Sequence, residues 1–565
     1  MEDANFIIQA IGRIGNMLYE ERDLIQAYSH MILAALFPIY IGAHASLRCP
    51  PRVAIEKKRG SQIEEAEEED DDDELNVESA IEGLTPSDAI LFPVLASLTL
   101  TGLYFIIKWL EDPALLNQIL GWYFSSIGVV GVGRLAGDCL NVGTTFIFPT
   151  VWSSGKNSYH VKQSLRKQFF APTKPQILSE GEVQQQVAED IITPLPGLLS
   201  KLRLPSSIVN RLWDIRALFT DKWIMRAYVH GLTNIKSRVC LNDAIGLVFG
   251  AAAIVLYNFY DKAWWLTNLM AFGFCYGTLQ LMSPTTFGTG SLVLMGLFVY
   301  DVIMVFFTPL MVTVATSLDA PIKLVFPGAK RGGMLGLGDV VLPGLVMAQA
   351  LRFDLYMHYL RKQRALAAAR SDATSPEQSN GDTKPTYHTA TGFYGERFWA
   401  SPSIFSVFKS KRQPNNIPDA FNGGHFKKPY FYASVTGYVL GMLVTVLVLN
   451  VYNHAQPALL YLVPGVLGSI WGTSVIRGEL KDMWEYNEGD PPAESSDGQV
   501  AREGQSRVSK QDGTAVQPDG SSEAVKKRYS GKRAEDHAHH IVLLSLTSPR
   551  SRSDRTDFVQ RQKTE

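Results

Sequence analysis

Several features that would point to common classes of soluble protein are missing from this sequence. The 53 Lys and Arg residues nearly match the 55 Asp and Glu residues, so no excess of positive charge indicates a nucleic-acid partner. There are only four cysteines, widely spaced and without a Cys-x-x-Cys pair. This spacing argues against a disulfide framework and against a structural zinc site.

Charge is also nearly absent from a long central stretch. Between Ala263 and Leu318 the only charged residue is Asp301. A soluble domain rarely has so long a stretch with one charge, whereas a region that crosses a bilayer requires such a composition. The averages over the chain, 46% hydrophobic and 19% charged residues, conceal this contrast. The composition therefore predicts a polytopic membrane protein with polar insertions.

Apolar stretches long enough to cross a bilayer recur along the chain. They predict an all-α protein with nine transmembrane helices, at residues 27–47, 89–110, 115–133, 241–259, 264–283, 288–314, 334–352, 429–452 and 457–474. Residues 137–151 continue the third stretch with a semi-apolar composition that is typical of a re-entrant or interfacial helix. Asp243, at the start of the fourth stretch, is expected to be a helix N-terminal residue.

Basic residues between the predicted spans indicate the orientation. Segments 134–240 and 353–428 contain 14 and 11 Lys and Arg residues, whereas the intervening loop 315–333 contains three. The basic segments should be cytoplasmic, and the N-terminus should be lumenal or extracellular. The predicted division is a lumenal N-terminus at 1–26, three spans at 27–133 with an acidic cytoplasmic loop at 48–88, a cytoplasmic insertion at 134–240, four spans at 241–352, a basic cytoplasmic loop at 353–428, two spans at 429–474 and a disordered cytoplasmic tail at 475–565.

Three polar segments are expected to be mostly disordered, because none can bury enough apolar surface to offset the loss of chain entropy. They are the acidic run at 64–74, the Ser-, Thr-, Asn-, Pro- and Gly-rich segment at 365–425, and the tail after about residue 485. Residues 185–232 differ, because they include apolar side chains such as Ile208 and Leu212. They are compatible with a helix that lies on the cytoplasmic face of the membrane.

Two aspartates lie inside predicted spans, where a carboxylate costs on the order of 3 kcal/mol. Asp301 is near the middle of the sixth span, about 20 Å of helix from its lumenal end. Asp339 follows Gly332 by only seven residues, which as helix would reach a depth of about 10 Å. As extended chain the same residues reach about 23 Å. The two carboxyl groups therefore meet at one depth if the glycine-rich segment before Asp339 is not helical.

Two carboxyl groups within hydrogen-bonding distance share one proton, and such a pair can hydrolyse a peptide bond. The ionised member takes a proton from water, and the protonated member polarises the carbonyl. No metal is needed, and the sequence contains neither an HExxH zinc motif nor a GxSxG nucleophile motif. The residues alone leave a second function open, because acids at mid-membrane also bind coupling ions or substrates in transporters.

Three short motifs resemble those of the presenilin-type intramembrane aspartyl proteases. They are Tyr300-Asp301, Gly336-Leu337-Gly338-Asp339 and Gln456-Pro457-Ala458-Leu459. Longer stretches, 311–327, 336–344 with 351–354, and 454–464, are similar to the signal peptide peptidase family within that group. The resemblance covers roughly residues 25–110, 240–354 and 425–485.

This resemblance implies a presenilin-like fold and a role for each motif. Asp301 and Asp339 would be the catalytic pair, without a metal or any other cofactor. The supporting residues would be Tyr300 beside the pair and Gly336, Leu337 and Gly338, whose glycines allow the substrate backbone to approach. Residues Gln456, Pro457, Ala458 and Leu459 would position the substrate from the ninth span.

The implied function is that of an intramembrane aspartic endopeptidase of the endoplasmic reticulum membrane. Its substrates would be transmembrane segments such as signal peptide remnants and type II or tail-anchored proteins. Degradation factors of the endoplasmic reticulum and a second copy of the chain are further implied partners. The alternatives are a catalytically silent escort of membrane proteins and an ion-coupled transporter. Arg561 and Lys563 resemble a retrieval signal, although a basic tail produces such spacing by chance.

Overall fold

The computed structural model describes residues 22–56, 82–110, 114–154, 157–163, 165–171, 186–187, 191–229, 233–260, 263–308, 310, 314, 323–326, 333–371, 384–400, 423–452, 456–489 and 542–547. The acidic run 64–74 and the basic residues Arg561 and Lys563 lie outside these ranges. So does most of the segment 365–425.

Twelve helices of the described residues are, in chain order, α1 (Arg22–Ala45), α2 (Pro86–Leu110), α3 (Ala114–Ile147), α4 (Ser206–Thr220), α5 (Leu241–Phe259), α6 (Trp264–Leu281), α7 (Phe287–Val302), α8 (Gly338–Ser371), α9 (Tyr394–Ala400), α10 (Pro429–Tyr452), α11 (Leu459–Arg477) and α12 (Leu480–Glu485). Helix α7 continues as a π-helical turn, Ile303–Phe307. Seven of them, α2, α3, α5, α7, α8, α10 and α11, are long and apolar enough to cross a membrane. With α1 and α6, they overlap the nine predicted spans. The protein is a polytopic all-α membrane protein.

Short strands connect the helices or lie in the insertions. They are β1 (Ile55–Glu56), β2 (Glu82–Leu84), β3 (Val151–Ser154), β4 (Asn157–Lys162), β5 (Lys167–Ala171), β6 (Gln186–Val187), β7 (Trp223–Val229), β8 (Thr233–Val239), β9 (Met282–Pro284), β10 (Lys323–Phe326), β11 (Gly333–Gly336), β12 (Thr386–Tyr387) and β13 (Val542–Thr547). Strands β3 to β6 form one antiparallel sheet, and β13, β7 and β8 form another. The remaining pairs are β1 with β12, β2 with β9 and β10 with β11.

Helix α8 is at the centre of the bundle and α2 at its edge. In the most apolar part of α8, 83% of the residues are buried, against none in that of α2. The main core is formed by side chains of α1, α6, α7, α8, α10 and α11. The central position of α8 follows from its contacts with five of the long helices, whereas α2 packs mainly on α7.

Helix α3 is longer than predicted, because it continues without a break to Ile147. Residues 137–151 therefore begin as its last turns and do not form a separate re-entrant or interfacial helix. The polar side chains of this part find partners in the bundle. The Asn141 amide, for example, donates a hydrogen bond to the Asp243 carboxylate at 3.1 Å.

Asp243 closes the first turn of α5, and its predicted place at a helix N-terminus is confirmed. Its carboxylate accepts a hydrogen bond from the backbone N–H of Cys240 at 2.9 Å. An acid at this end of a helix satisfies an otherwise unpaired N–H and interacts favourably with the helix dipole. Its carboxylate therefore has a structural role.

The two large insertions pack on each other, so the expectation of disorder was wrong for residues 384–400. The Glu396 carboxylate of α9 accepts hydrogen bonds from the backbone N–H and hydroxyl of Thr150 at 3.0 and 3.1 Å. The Trp399 indole N–H donates to the Phe146 carbonyl at 2.8 Å. Helix α9 thus supplies partners for the C-terminal end of α3, where backbone carbonyls lack intrahelical donors. Trp399 also packs on a small core of buried residues, Trp152, Val161, Ile191, Val209 and Trp213.

The expectation of a disordered tail from residue 475 was also wrong for residues 475–489 and 542–547. Helix α12 and the residues after it pack under the bundle, and Tyr486 is buried against the rings of Phe287 and Phe353. Farther along, β13 pairs with β7. These parts of the polar segments are ordered because they contain apolar and aromatic side chains that become buried. The average composition of each segment conceals these side chains.

Candidate active site

Asp301 lies in the last turn of α7, directly before the π-helical turn. Its neighbours in the helix are apolar, and the residue is 4% exposed. π-Helical turns inside α-helices frequently occur at functional sites. The bundle thus buries an acid at a point where the regular helix ends.

Asp339 is the second residue of α8 and directly follows an extended segment. Strand β11 pairs antiparallel with β10, with Leu324 opposite Leu335 and Val325 opposite Met334. The backbone is therefore extended from Gly333 to Gly336 and becomes helical at Gly338. The non-helical glycine segment that the depth argument required is confirmed.

The structure brings the two acids together. Helices α7 and α8 pack on each other, and the Asp301 and Asp339 carboxyl groups are close enough to interact electrostatically. Asp339 is half-buried, while Asp301 is buried. Two acids that meet in a low-dielectric site cannot both ionise easily, so such a pair can share one proton.

The N-terminus of α11 contacts Asp301 through a backbone N–H. The N–H of Leu459, at the first turn of α11, donates a hydrogen bond to Asp301 Oδ2 at 3.2 Å. Pro457 is buried, and its carbonyl accepts from the N–H of Leu460 at 3.3 Å, which starts the helix. The positive end of the α11 dipole therefore points at Asp301, an arrangement that stabilises negative charge.

Glycine keeps the approach to Asp339 narrow but open. A Cβ atom added at Gly336 would lie 3.5 Å from Asp339 Oδ2, in van der Waals contact with the carboxyl group. A Cβ added at Gly338 would meet only the side chain of Leu342, at 3.9 Å. Any longer side chain at Gly336 would therefore occupy space beside the acid.

The other residues of the predicted site lie around the pair without a comparable polar contact to it. Tyr300, Leu337 and Ala458 are partly buried and pack on the main core. Gln456 is half-buried in the turn before α11.

Two residues near the site were missed by the sequence reasoning. The Tyr438 hydroxyl, on α10, donates a hydrogen bond to the backbone carbonyl of Asp339 at 3.3 Å. The Asn268 amide, on α6, bonds to the backbone of Val325 in β10. The sequence shows that each is a polar side chain in an apolar span. It does not show the backbone group that each one bonds, because that group is distant in the chain.

The described residues contain no cluster of three or more His, Cys, Asp or Glu side chains that could hold a metal ion. The groups that converge on the site are two carboxyl groups, one backbone N–H and an extended strand. A pair of acids can activate a water molecule and polarise a carbonyl, while an extended strand can present its backbone to a second strand. Together these groups are suited to hydrolysis of a peptide bond.

Comparison with known proteins supports this chemistry. Residues 76–490 match the family model described as "Signal peptide peptidase". The chain is 26% identical over 474 residues to the signal peptide peptidase of Homo sapiens, a match that covers 82% of this chain and 84% of the human protein. It is 31% identical over 280 residues to a probable intramembrane protease of Schizosaccharomyces pombe, covering 47% and 75% of the two chains. A probable intramembrane protease of Saccharomyces cerevisiae is 22% identical over 507 residues, covering 83% and 74%. No solved structure matches the chain.

Proposed function

The chain belongs to the signal peptide peptidase family and is an intramembrane aspartic protease, and from this premise we propose that Asp301 and Asp339 are its catalytic pair. The observation that carries the proposal is the meeting of the two acids beside the N–H of Leu459. The comparisons do not favour a silent escort or an ion-coupled transporter. In an aspartic protease, two acids act together in the hydrolysis of a peptide bond.

The geometry suggests different roles for the two acids. Asp301 accepts the Leu459 N–H at the positive end of α11, so it is suited to be the carboxylate that removes a proton from water. Asp339 would then carry the shared proton and polarise the substrate carbonyl. Attack of water on the carbonyl carbon gives a tetrahedral gem-diol. Protonation of the amide nitrogen then breaks the carbon–nitrogen bond and releases an amine and a carboxylic acid.

A helical substrate must unwind before this attack, because its carbonyls are hydrogen-bonded within the helix. Strand β11 supports a docking mode for the unwound segment. The N–H and carbonyl of Val325 point away from β11, so in the alternating antiparallel pattern those of Met334 point away from β10. The outer edge of β11 therefore offers the N–H and carbonyl of Met334, five residues before Asp339.

We further propose that the substrates are signal peptide remnants and type II or tail-anchored proteins of the endoplasmic reticulum membrane. The names of the human and mouse relatives support a signal-peptide substrate. The basic residues of segments 134–240 and 353–428 support an orientation in which both insertions face the cytosol and the N-terminus faces the lumen. Degradation factors and a second copy of the chain are the partners to test next.

The test uses purified protein in liposomes with an apolar, signal-peptide-like substrate, and fragments are identified by mass spectrometry. Wild type should cut within the apolar stretch, and Asp301→Ala and Asp339→Ala should lose cleavage. Asp243→Asn is the matched control, because the Asn amide oxygen can also accept the Cys240 N–H, so this variant should retain activity. Folding is compared by the thermal unfolding midpoint of each variant.

Each other outcome contradicts part of the proposal. Cleavage that persists in either Ala variant would exclude that aspartate from the catalytic pair. Substrate capture without cleavage by folded wild type would favour an escort. Ion flux without cleavage would favour a transporter.

A further inference from the structure

Asn268 makes two hydrogen bonds to one residue of the hairpin β10–β11. Its Nδ2 atom donates to the Val325 carbonyl at 2.9 Å, and its Oδ1 atom accepts from the Val325 N–H at 2.7 Å. Asn268 is 6% exposed and belongs to α6, which also packs on β10. A single side-chain amide thus pairs with the strand as the backbone of a neighbouring strand would.

The two partners need each other because of the surrounding membrane. An amide side chain without partners is costly in an apolar environment, and so is a strand edge with an open N–H and carbonyl. The two contacts satisfy the N–H and carbonyl of Val325 and use one donor and the acceptor oxygen of the Asn268 amide. The bonds join residues 57 positions apart, and they fix the hairpin to a helix of the bundle.

The hairpin in turn sets the position of Asp339. Strand β10 holds β11 through the paired backbone groups of Leu324 and Leu335. Strand β11 ends at Gly336, and α8 begins at Gly338 with Asp339 in its first turn. A displacement of β10 therefore passes through β11 to the acid.

We propose that Asn268 is a positioning residue of the protease. It holds β10 so that β11 brings Asp339 to Asp301, and it covers the outer edge of β10. An extended substrate is then directed to the edge of β11, which leads to the two acids. This inference rests on the proposed catalytic role of Asp301 and Asp339.

The first test compares Asn268→Leu, which keeps the side-chain size but removes both hydrogen bonds, with wild type in the liposome assay. Displacement of a catalytic group should lower kcat by about 10- to 100-fold. KM should change less than kcat, because the substrate can still dock on the outer edge of β11. Asn258→Leu is the matched control, because the Asn258 amide donates to Ile254 of its own helix at 3.0 Å. It should leave kcat within about twofold.

A second test uses the protonation of a carboxyl group. In Asn268→Asp, the neutral acid offers one donor and one acceptor, as the amide does, whereas the ionised acid offers no donor. The ratio of its kcat to that of wild type should therefore rise as the pH falls. The same ratio for Asn268→Leu should rise less. Both variants displace Asp339 and keep Lys323 of β10, so a change in the titration of the catalytic acids appears in Asn268→Leu as well.

A third test approaches the contact from the strand. Val325→Pro removes the N–H that Asn268 accepts, and proline is tolerated where a strand N–H faces outward. Val325→Ala keeps the N–H and serves as the control. If the contact carries the effect, Val325→Pro combined with Asn268→Leu should lower kcat no further than the stronger single variant.

The outcomes separate this inference from the catalytic proposal. If Asn268→Leu and Val325→Pro both keep wild-type kcat while Asp301→Ala and Asp339→Ala are inactive, the positioning role is wrong and the catalytic pair stands. If the Asp variants remain active, the catalytic proposal fails and the inference fails with it. If Asn268→Leu does not fold, unchanged kcat in a folded Val325→Pro variant still overturns the inference.

Discussion

One backbone N–H distinguishes the surroundings of two otherwise similar acids. Asp301 receives the amide of Leu459 at 3.2 Å, and this amide lies at the positive end of a helix. Substitutions other than proline keep this donor, so they do not test the hydrogen bond. The backbone atom is the group to change.

Replacing the Leu459 amide by an ester, through incorporation of the α-hydroxy acid, should lower kcat about 10- to 100-fold. This range corresponds to the roughly 1.5–3 kcal/mol that a hydrogen bond to a charged group contributes. Leu459→Met, which keeps the N–H and nearly the same side-chain volume, should retain most of the activity. Equal kcat for the ester and the amide would show that this contact does not assist the reaction.

The residues that were predicted and those that were missed differ in how local their signal is. Asp301 was recognisable from the sequence because a lone acid in a long apolar stretch requires an explanation. Asn268 and Tyr438 are polar but uncharged, and their roles depend on backbone partners 57 and 99 positions away. No pattern in the sequence specifies those partners.

The residues that follow α12 pack against the end of the bundle where the two insertions lie. The Glu488 carboxylate accepts from Arg352 Nε at 3.0 Å and from the Ser283 hydroxyl at 2.6 Å, and it pairs with Arg48. Arg352 is 3% exposed and Glu488 is similarly buried. The segment therefore neutralises a buried cation in the middle part of α8.

Glu488→Ala should lower the stability of the protein by about 3–5 kcal/mol, because it leaves the buried Arg352 without its carboxylate. Thermal unfolding in detergent would measure the change. Glu485→Ala is the control, because the Glu485 side chain is 62% exposed and a surface pair with Lys481 contributes little. If Glu488→Ala unfolds at the wild-type temperature, the ion pair does not stabilise the fold.

Lys428, directly before α10, gives the same end of the bundle a dependence on pH. Burial, with a contribution from Arg397, lowers the pKa of Lys428 from its usual 10.5 to about 8. The unfolded chain therefore binds more protons than the folded chain between about pH 8 and 10.5, and stability should rise across this window. In Lys428→Met, the rise in unfolding temperature between pH 8 and 10 should be smaller. An identical rise in both proteins would assign it to other groups.

The helices were predictable as elements and the strands were not. Nine apolar stretches correspond to helices because length and hydropathy alone decide whether a segment can cross a bilayer. The strands of the insertions are short, and several pair with remote segments, as β1 does with β12 and β7 with β13. Helix α9 was missed because its stabilising partners, the end of α3 and the core around Trp152, are contributed by the other insertion.

At the scale of the whole molecule, glycines allow one half of the bundle to pack closely. Helices α3 and α5 cross where Gly133 and Gly137 face Gly246 and Gly250, and a Cβ atom at Gly246 would lie 2.4 Å from the Gly133 carbonyl oxygen. Small residues spaced four apart are typical of close contacts between membrane helices, where dispersion rather than the hydrophobic effect drives association. The contact joins α3, and through it the first insertion, to the rest of the bundle.

Gly246→Ala should destabilise the protein by about 1–3 kcal/mol, because the backbones of α3 and α5 must move apart. Gly121→Ala is the matched control on α3, since nothing lies within 4 Å of a Cβ at that position. It should be neutral or slightly stabilising. Thermal unfolding of both variants in the same detergent tests the difference. Equal unfolding temperatures would contradict the close contact.

The hydrogen bond between Leu459 and Asp301 joins residues 158 positions apart, and this separation sets an order of events during synthesis. At roughly 5–20 residues per second, the ribosome adds Leu459 about 8–30 s after Asp301. Throughout that interval the nascent enzyme holds its acids in the membrane without the amide that completes the site. Ribosome-bound chains arrested before residue 459 should therefore be inactive. By the proposed mechanism, the active site is complete only after the start of α11 has been synthesised.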